Sequence, residues 1–307
     1  MAHTADAAAG DGLRERIIAF ARRASIEATP HDEARLPALL ASLRKGTIVY
    51  VAHPPRWRLQ DVVRVAIGIR RLGFAARPHI VARALPSERA LRTALADLNA
   101  AGIDQILVVA GDAKAPAGPF AGTQDVLDSG ATAAHGMRTV AVAGHPQGHP
   151  FIATDALWEA LQARLAFAQR TGTRVEIVTQ FGFDPQAIID WHRACLARGI
   201  TLPLNVGIAG PAPLSKLLHF AIQCGIGASL RGLGRNPGAL AGFAGLARGP
   251  EEMVTGLVED RAASDGLIDR PHFYCFGGSL ETARWLDKVA AGSFDLAADR
   301  PTFSVRA

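Results

Sequence analysis

The sequence predicts an α/β protein built as a closed parallel (β/α)8 barrel of the TIM type. Eight short apolar, β-rich runs recur along the chain, and segments with helical spacing of apolar residues lie between most of them. The glycine-rich turn that opens a doubly wound sheet does not follow the first run, which makes that fold the runner-up. A chain of 307 residues, 49% hydrophobic and 20% charged, can bury the core that such a barrel needs. The expected partition is a flexible N-terminus over residues 1–12 and one barrel domain over residues 13–307.

In order, the strand runs are Ser25 to Thr29, Thr47 to Ala52, Ala75 to Ala82, Gln105 to Ala110, Thr139 to Ala143, Val175 to Phe181, Pro203 to Ile208 and His272 to Phe276. Their β-branched and apolar residues suit a pleated, buried surface. Between them, Leu59 to Leu72, Glu88 to Ala101, Thr154 to Arg170, Pro185 to Arg198 and Pro213 to Cys224 have helical periodicity. The stretch "CGIGASLRG" follows a helix and has only part of a dinucleotide-binding pattern. Residues 231–252 form a Gly-rich excursion before the last helix.

Composition excludes several classes. The net charge is +5 and the pI near 9.5, but only four of the 33 basic residues are lysine and no basic stripe with interleaved aromatics occurs, so no nucleic-acid partner is expected. Mean hydropathy is +0.14, yet no apolar run approaches the roughly 18 to 20 residues of a membrane span. The first dozen residues lack the basic and apolar blocks of a secretory signal, so the expected compartment is the cytoplasm. Cys195, Cys224 and Cys275 are far apart and odd in number, as reduced and mostly buried thiols would be.

In a barrel of this kind, polar residues at the carboxyl ends of strands face one mouth. Glu27 lies in an apolar first strand, where it is either desolvated, with a pKa raised toward that of a general acid, or on a solvated edge. Asp112, after Gly111, reads as a catalytic carboxylate or as turn chemistry. His145 and His149 are four apart, but Pro146, Gly148 and Pro150 forbid the helix that would align them on a metal, so no metal site is expected; they form a ligand-binding loop or a plain turn. His79 suits a core histidine. Thr179 and Gln180 put polar side chains at the end of the sixth strand, where a core strand should still be apolar.

Taken in order, "SIEATP", "ARPHI", "LVVAGD", "HPQGHP", "VTQFGFDP", "LPLNVGIAGP" and "HFYCFG" resemble the motifs of the methylenetetrahydrofolate reductase family, flavin-dependent barrels that reduce 5,10-methylenetetrahydrofolate to 5-methyltetrahydrofolate in one-carbon metabolism and methionine biosynthesis. The resemblance runs from about Ser25 to Phe276. It implies that Glu27 is the proton donor for opening the imidazolidine ring, that Asp112 lies near pterin and flavin, and that Gln180 hydrogen-bonds substrate. His79, Gly111, Asp112, His145, His149 and Thr179 would border an FAD, with NADH or NADPH as possible co-substrate, and a homo-oligomer is expected. Ala110 stands where the family has Arg, His145 where it has Tyr, and Phe167-Ala168 where it has a basic pair. Arg164 or Arg170 would then stand in toward the flavin phosphates. Phe276-Gly277-Gly278 replaces the usual L-N-R. Two alternatives stay open: a flavin-free reductase, and a non-redox folate-binding partner of a methyltransferase.

Overall fold

The computed structural model describes residues 2–223, 247–248, 250–260, 268–297 and 302–306. Its centre is a closed barrel of eight parallel strands: β1 (Ser25–Ala28), β2 (Ile48–Val51), β3 (Ala75–Val81), β4 (Gln105–Val109), β5 (Thr139–Gly144), β6 (Arg174–Thr179), β7 (Leu204–Ala209) and β8 (Ile268–Tyr274). They pair in chain order, and β1 closes on β8 through Ser25↔His272 and Ile26↔Phe273. Closure leaves no strand edge open, which a doubly wound sheet would have.

Helices cover the outside. Among the described residues they are α1 (Ala2–Arg22), α2 (Leu36–Ala41), α3 (Leu59–Arg71), α4 (Glu88–Ala100), α5 (Thr123–Asp128), α6 (Ala131–Ala134), α7 (Thr154–Thr171), α8 (Pro185–Ala197), α9 (Leu214–Gln223), α10 (Glu251–Glu259) and α11 (Ser279–Ala290). Their starts are written locally: Ser87 Oγ accepts from Ala90 N at the head of α4, and Asp184 Oδ1 accepts from Gln186 N just before Pro185 opens α8. The apolar faces of α3 and α4, with Val62, Ala66, Ile69, Leu91, Leu95 and Leu98, pack on outward strand residues such as Val49, Ile80 and Ile106 to make the main core. No helix among the described residues is long and apolar enough to cross a membrane.

Strand and helix ends move by a residue or two from their expected bounds, with one exception. β8 starts at Ile268, four residues before His272, because Arg270 and Pro271, polar or helix-breaking residues outside the expected apolar run, join the ladder to β7 through Arg270↔Asn205 and Pro271↔Val206, with a register shift after Ile268. α1 begins at Ala2, inside the N-terminal dozen that the sequence sets apart as flexible. Residues 231–246 and 249 of the Gly-rich excursion, the "CGIGASLRG" stretch and Cys224 lie outside the described residues. Cys195 and Cys275 are free and buried.

Candidate active site

Glu27 sits near the carboxyl end of β1, its side chain 17% exposed. The chain turns beyond it through Pro30–Arg35, where Asp32 Oδ2 accepts from both Thr29 N (2.8 Å) and Thr29 Oγ1 (2.9 Å), and Asp32 Oδ1 accepts from Ser279 Oγ (2.7 Å). Those three bonds hold a buried acid close to Glu27. Burial, and after it the Asp32 charge, pushes the Glu27 pKa from 4.5 up to about 8, so its carboxyl is protonated at neutral pH. His79 on β3 also faces it, with Nε2 3.9 Å from Oε1. Burial, and then His53, lowers the His79 pKa to about 3. Neither group is charged at neutral pH, so the contact is not an ion pair.

One side of the mouth is lined by imidazoles. His53 follows β2 and holds Trp57 O through Nε2 at 2.8 Å, while its Nδ1, like His79 Nε2, is buried with no hydrogen-bond partner. His145 and His149 meet edge to face at 5.2 Å in the loop after β5, and burial followed by the His149 charge brings His145 down to about 4. Gly111, after β4, has φ +88, and a Cβ there would stand 2.4 Å from Val81 Cγ1, so only glycine fits the turn that presents Asp112, which is exposed on the rim.

The opposite side is aromatic. Phe181 packs against Phe183, Tyr274 and Phe276 with ring centroids 4.9 to 5.8 Å apart, and Phe220 lies 4.8 Å from Phe276. Phe276 holds a left-handed φ of 47, a conformation costing about 1 to 3 kcal/mol that concentrates at functional sites. Gln180 stands between the two sides: its Oε1 accepts from Phe181 N at 3.1 Å. Thr179 points away from the mouth, and its hydroxyl accepts from Gly207 N at 2.8 Å while its carbonyl accepts from Tyr274 Oη at 3.0 Å. Arg164 is not at the mouth either. It lies ten residues into α7, about 15 Å along the helix, where Nη1 donates to Gln124 Oε1 at 2.8 Å.

Beneath the mouth, the barrel interior is charged. Arg77 Nη1 donates to Glu176 Oε2 at 2.7 Å and to Tyr50 Oη at 2.6 Å, and its other nitrogens hold Gln105 Oε1. Asn205 and Arg174 complete the Glu176 carboxylate at 3.1 and 2.6 Å. Burial alone would raise the Glu176 pKa; Arg77 and these bonds overcome it and hold it at about 2. Above this pair lie Tyr50 and His272, rings 4.2 Å apart, with His272 Nδ1 3.0 Å from Ser25 Oγ. Sequence reasoning missed these residues and Asp32, because Tyr50 and His272 read as ordinary strand positions. His53 was findable: like His145, it stands within two residues of a strand's carboxyl end.

A family model described as methylenetetrahydrofolate reductase matches residues 64–226, slightly more than half of the chain. The chain belongs to the methylenetetrahydrofolate reductase family. The matched stretch contains His79, Gly111, Asp112, His145, His149, Thr179 and Gln180; Glu27 precedes it. Among solved structures, the chain is similar to a conserved protein of unknown function from Enterococcus faecalis, at 13% identity and TM-score 0.46 over 87% of this chain and 64% of that one. It is also similar to a dihydropteroate synthase from Thermus thermophilus, at 16% identity and TM-score 0.44 over 85% of this chain and 90% of that one. The chain thus spans slightly less than two thirds of the first of these.

The family implies a flavin, and the donor set at the mouth fits its ring. Neutral imidazoles with buried, unpartnered nitrogens at His53 and His79 suit the carbonyl and nitrogen edge of a flat heterocycle, and the Phe181 to Phe276 side offers faces to stack on. Arg164, being held by Gln124 on the outer helix layer, is not placed to meet its phosphates.

Proposed function

We propose that the chain interconverts 5,10-methylenetetrahydrofolate and 5-methyltetrahydrofolate with FAD as hydride carrier and NADH or NADPH as co-substrate. The observation that carries this reading is a carboxyl kept protonated at neutral pH, Glu27, at the mouth of a barrel of this family. When bound, the flavin accepts and returns hydride at its N5. Glu27 delivers its proton to the folate ring nitrogen as the imidazolidine opens, and takes one back in the reverse direction. His79, neutral beside it, leaves that proton in place, since a cation there would pull the Glu27 pKa down.

Gln180 spends its oxygen on Phe181 N, which fixes the side chain and leaves its NH2 group to bind the pterin. His53, His79, Gly111, Asp112, His145 and His149 border the flavin ring, and the aromatic side excludes water from the reacting face. The test is anaerobic addition of 5-methyltetrahydrofolate to FAD-loaded protein, which should bleach the visible flavin bands. An unchanged spectrum in protein that binds the folate would refute the proposal. The position of Arg164 favours a second reading, a flavin-free reductase, and failure of the protein to take up FAD would select it.

A further inference from the structure

A concavity lies at the end of the barrel opposite Glu27. There a cavity of about 230 Å³ is lined by Arg22, Arg23, Arg44, Lys45 and Arg270, with Asp269 as the carboxylate among its lining residues. The strand registers explain the convergence. Ser25 pairs with both Ile48 and His272, so the residues just before these positions, Arg22 to Ala24, Arg44 to Thr47 and Asp269-Arg270, meet at the amino end of the barrel. This is the end that barrel chemistry does not use.

Asp269 does not neutralise the group. Its Oδ2 already accepts from Arg270 Nε and Nη2 at 3.1 and 3.0 Å and lies 3.7 Å from Arg174. Among the described residues, Arg22, Arg23, Arg44 and Lys45 have no ion pair. Two of them are nevertheless held in place: Arg22 Nε donates to Ala290 O at 3.1 Å, and Lys45 Nζ lies 4.5 Å from the Phe74 ring centre and 3.4 Å from Leu72 O. Four unpaired cations around one hollow repel one another, and an anion carrying several charges removes that repulsion while accepting their N–H groups. Guanidinium forks match phosphate oxygens two at a time. The size of the hollow suits a compact anion rather than an extended one.

We propose that this cavity binds a compact phosphate-type polyanion, a pyrophosphate group either free or at the end of a nucleoside diphosphate. Titration calorimetry at low ionic strength with pyrophosphate and with ADP tests it, a variant at the hollow locating the binding at this end of the barrel. One saturable pyrophosphate site is expected. The double variant Arg44→Glu, Lys45→Glu, at two exposed positions of one turn, should weaken it by at least about tenfold, with circular dichroism verifying that the variant is folded. Glu27→Gln should bind pyrophosphate as the parent does. Equal affinity for ADP would mean that the pyrophosphate group alone is recognised; tighter ADP would mean that the nucleoside adds contacts. Pyrophosphate binding without ADP binding would limit the site to the free anion. The proposal is overturned by the lack of saturation, by an unaltered double variant, or by heparin binding with no pyrophosphate binding.

Discussion

Glu27→Gln keeps the shape of the side chain and removes its ionisation, which separates what the carboxyl does for the reaction from what burying it costs. The folded-state pKa of about 8 lies above the ordinary 4.5, so folding takes up a proton at every pH between the two. The stability tied to that proton is complete below 4.5 and is lost as pH rises through 8. At pH 7 the unfolded chain has released the proton and the folded chain has not, a gap of ~2.5 units at ~1.4 kcal/mol each, so the acid costs the fold as much as about 3 kcal/mol there. Urea unfolding of the two proteins should therefore give nearly equal stability at pH 4.5 and a growing advantage for Glu27→Gln toward pH 8. Stopped-flow measurement of the folate half-reaction should meanwhile show a loss of about 10²- to 10⁴-fold, the usual share of a general acid. Flavin reduction by dithionite needs no such proton and should be unchanged. The parent rate of methylenetetrahydrofolate reduction should fall above pH 8 as the acid ionises. A stability difference that is the same at both pH values, or an unaltered folate half-reaction, would refute the reasoning.

Glu176→Gln should destabilise the protein by about 3 to 5 kcal/mol, because Arg77 would be left buried without its counter-charge; a urea midpoint measures it. In the parent, the Glu176 carboxylate has the opposite pH sign to Glu27: its pKa of about 2 lies below 4.5, so its stability is present above 4.5 and is lost as pH falls toward 2, which acid titration by circular dichroism would follow. Gln180→Ala should weaken folate binding by about 1 to 3 kcal/mol in a fluorescence titration, as a buried pterin group loses its partner. Arg164→Ala should leave FAD affinity unaltered, since the guanidinium is spent on Gln124; a weakened flavin would show that it reaches the phosphates.

The architecture was legible in the sequence because it depends on patterns that repeat. Eight recurring apolar runs, with helical segments between most of them, call for a sheet that buries both faces, and a closed parallel barrel does so. The rule that strand-end polar residues face the mouth placed Glu27, His79, Asp112, His145, His149 and Gln180 at the same end of the barrel. It failed for Thr179, which shares the strand end with Gln180 but faces outward, because successive side chains point to opposite sides of a sheet. Arg164 entered through the resemblance instead, as a stand-in for the family's basic pair, and in the structure its guanidinium is turned to Gln124, a choice of neighbour that charge and position along the chain cannot give.

Only the tertiary structure decided the electrostatics. Whether Glu27 is an acid or an ordinary carboxylate depends on how much water the closed barrel leaves around it and on Asp32, five residues on, being turned back toward it by Thr29 and by Ser279 from the far end of the chain. Arg77 and Glu176 are 99 residues apart and meet only because β3 and β6 face each other across the barrel interior. The basic hollow is assembled in the same way, from the approaches to β1, β2 and β8. Local pattern sets which elements form, since it depends on neighbours in the chain; the pKa of a group depends on charges and solvent within a few ångströms in space, and the barrel draws those from distant parts of the sequence.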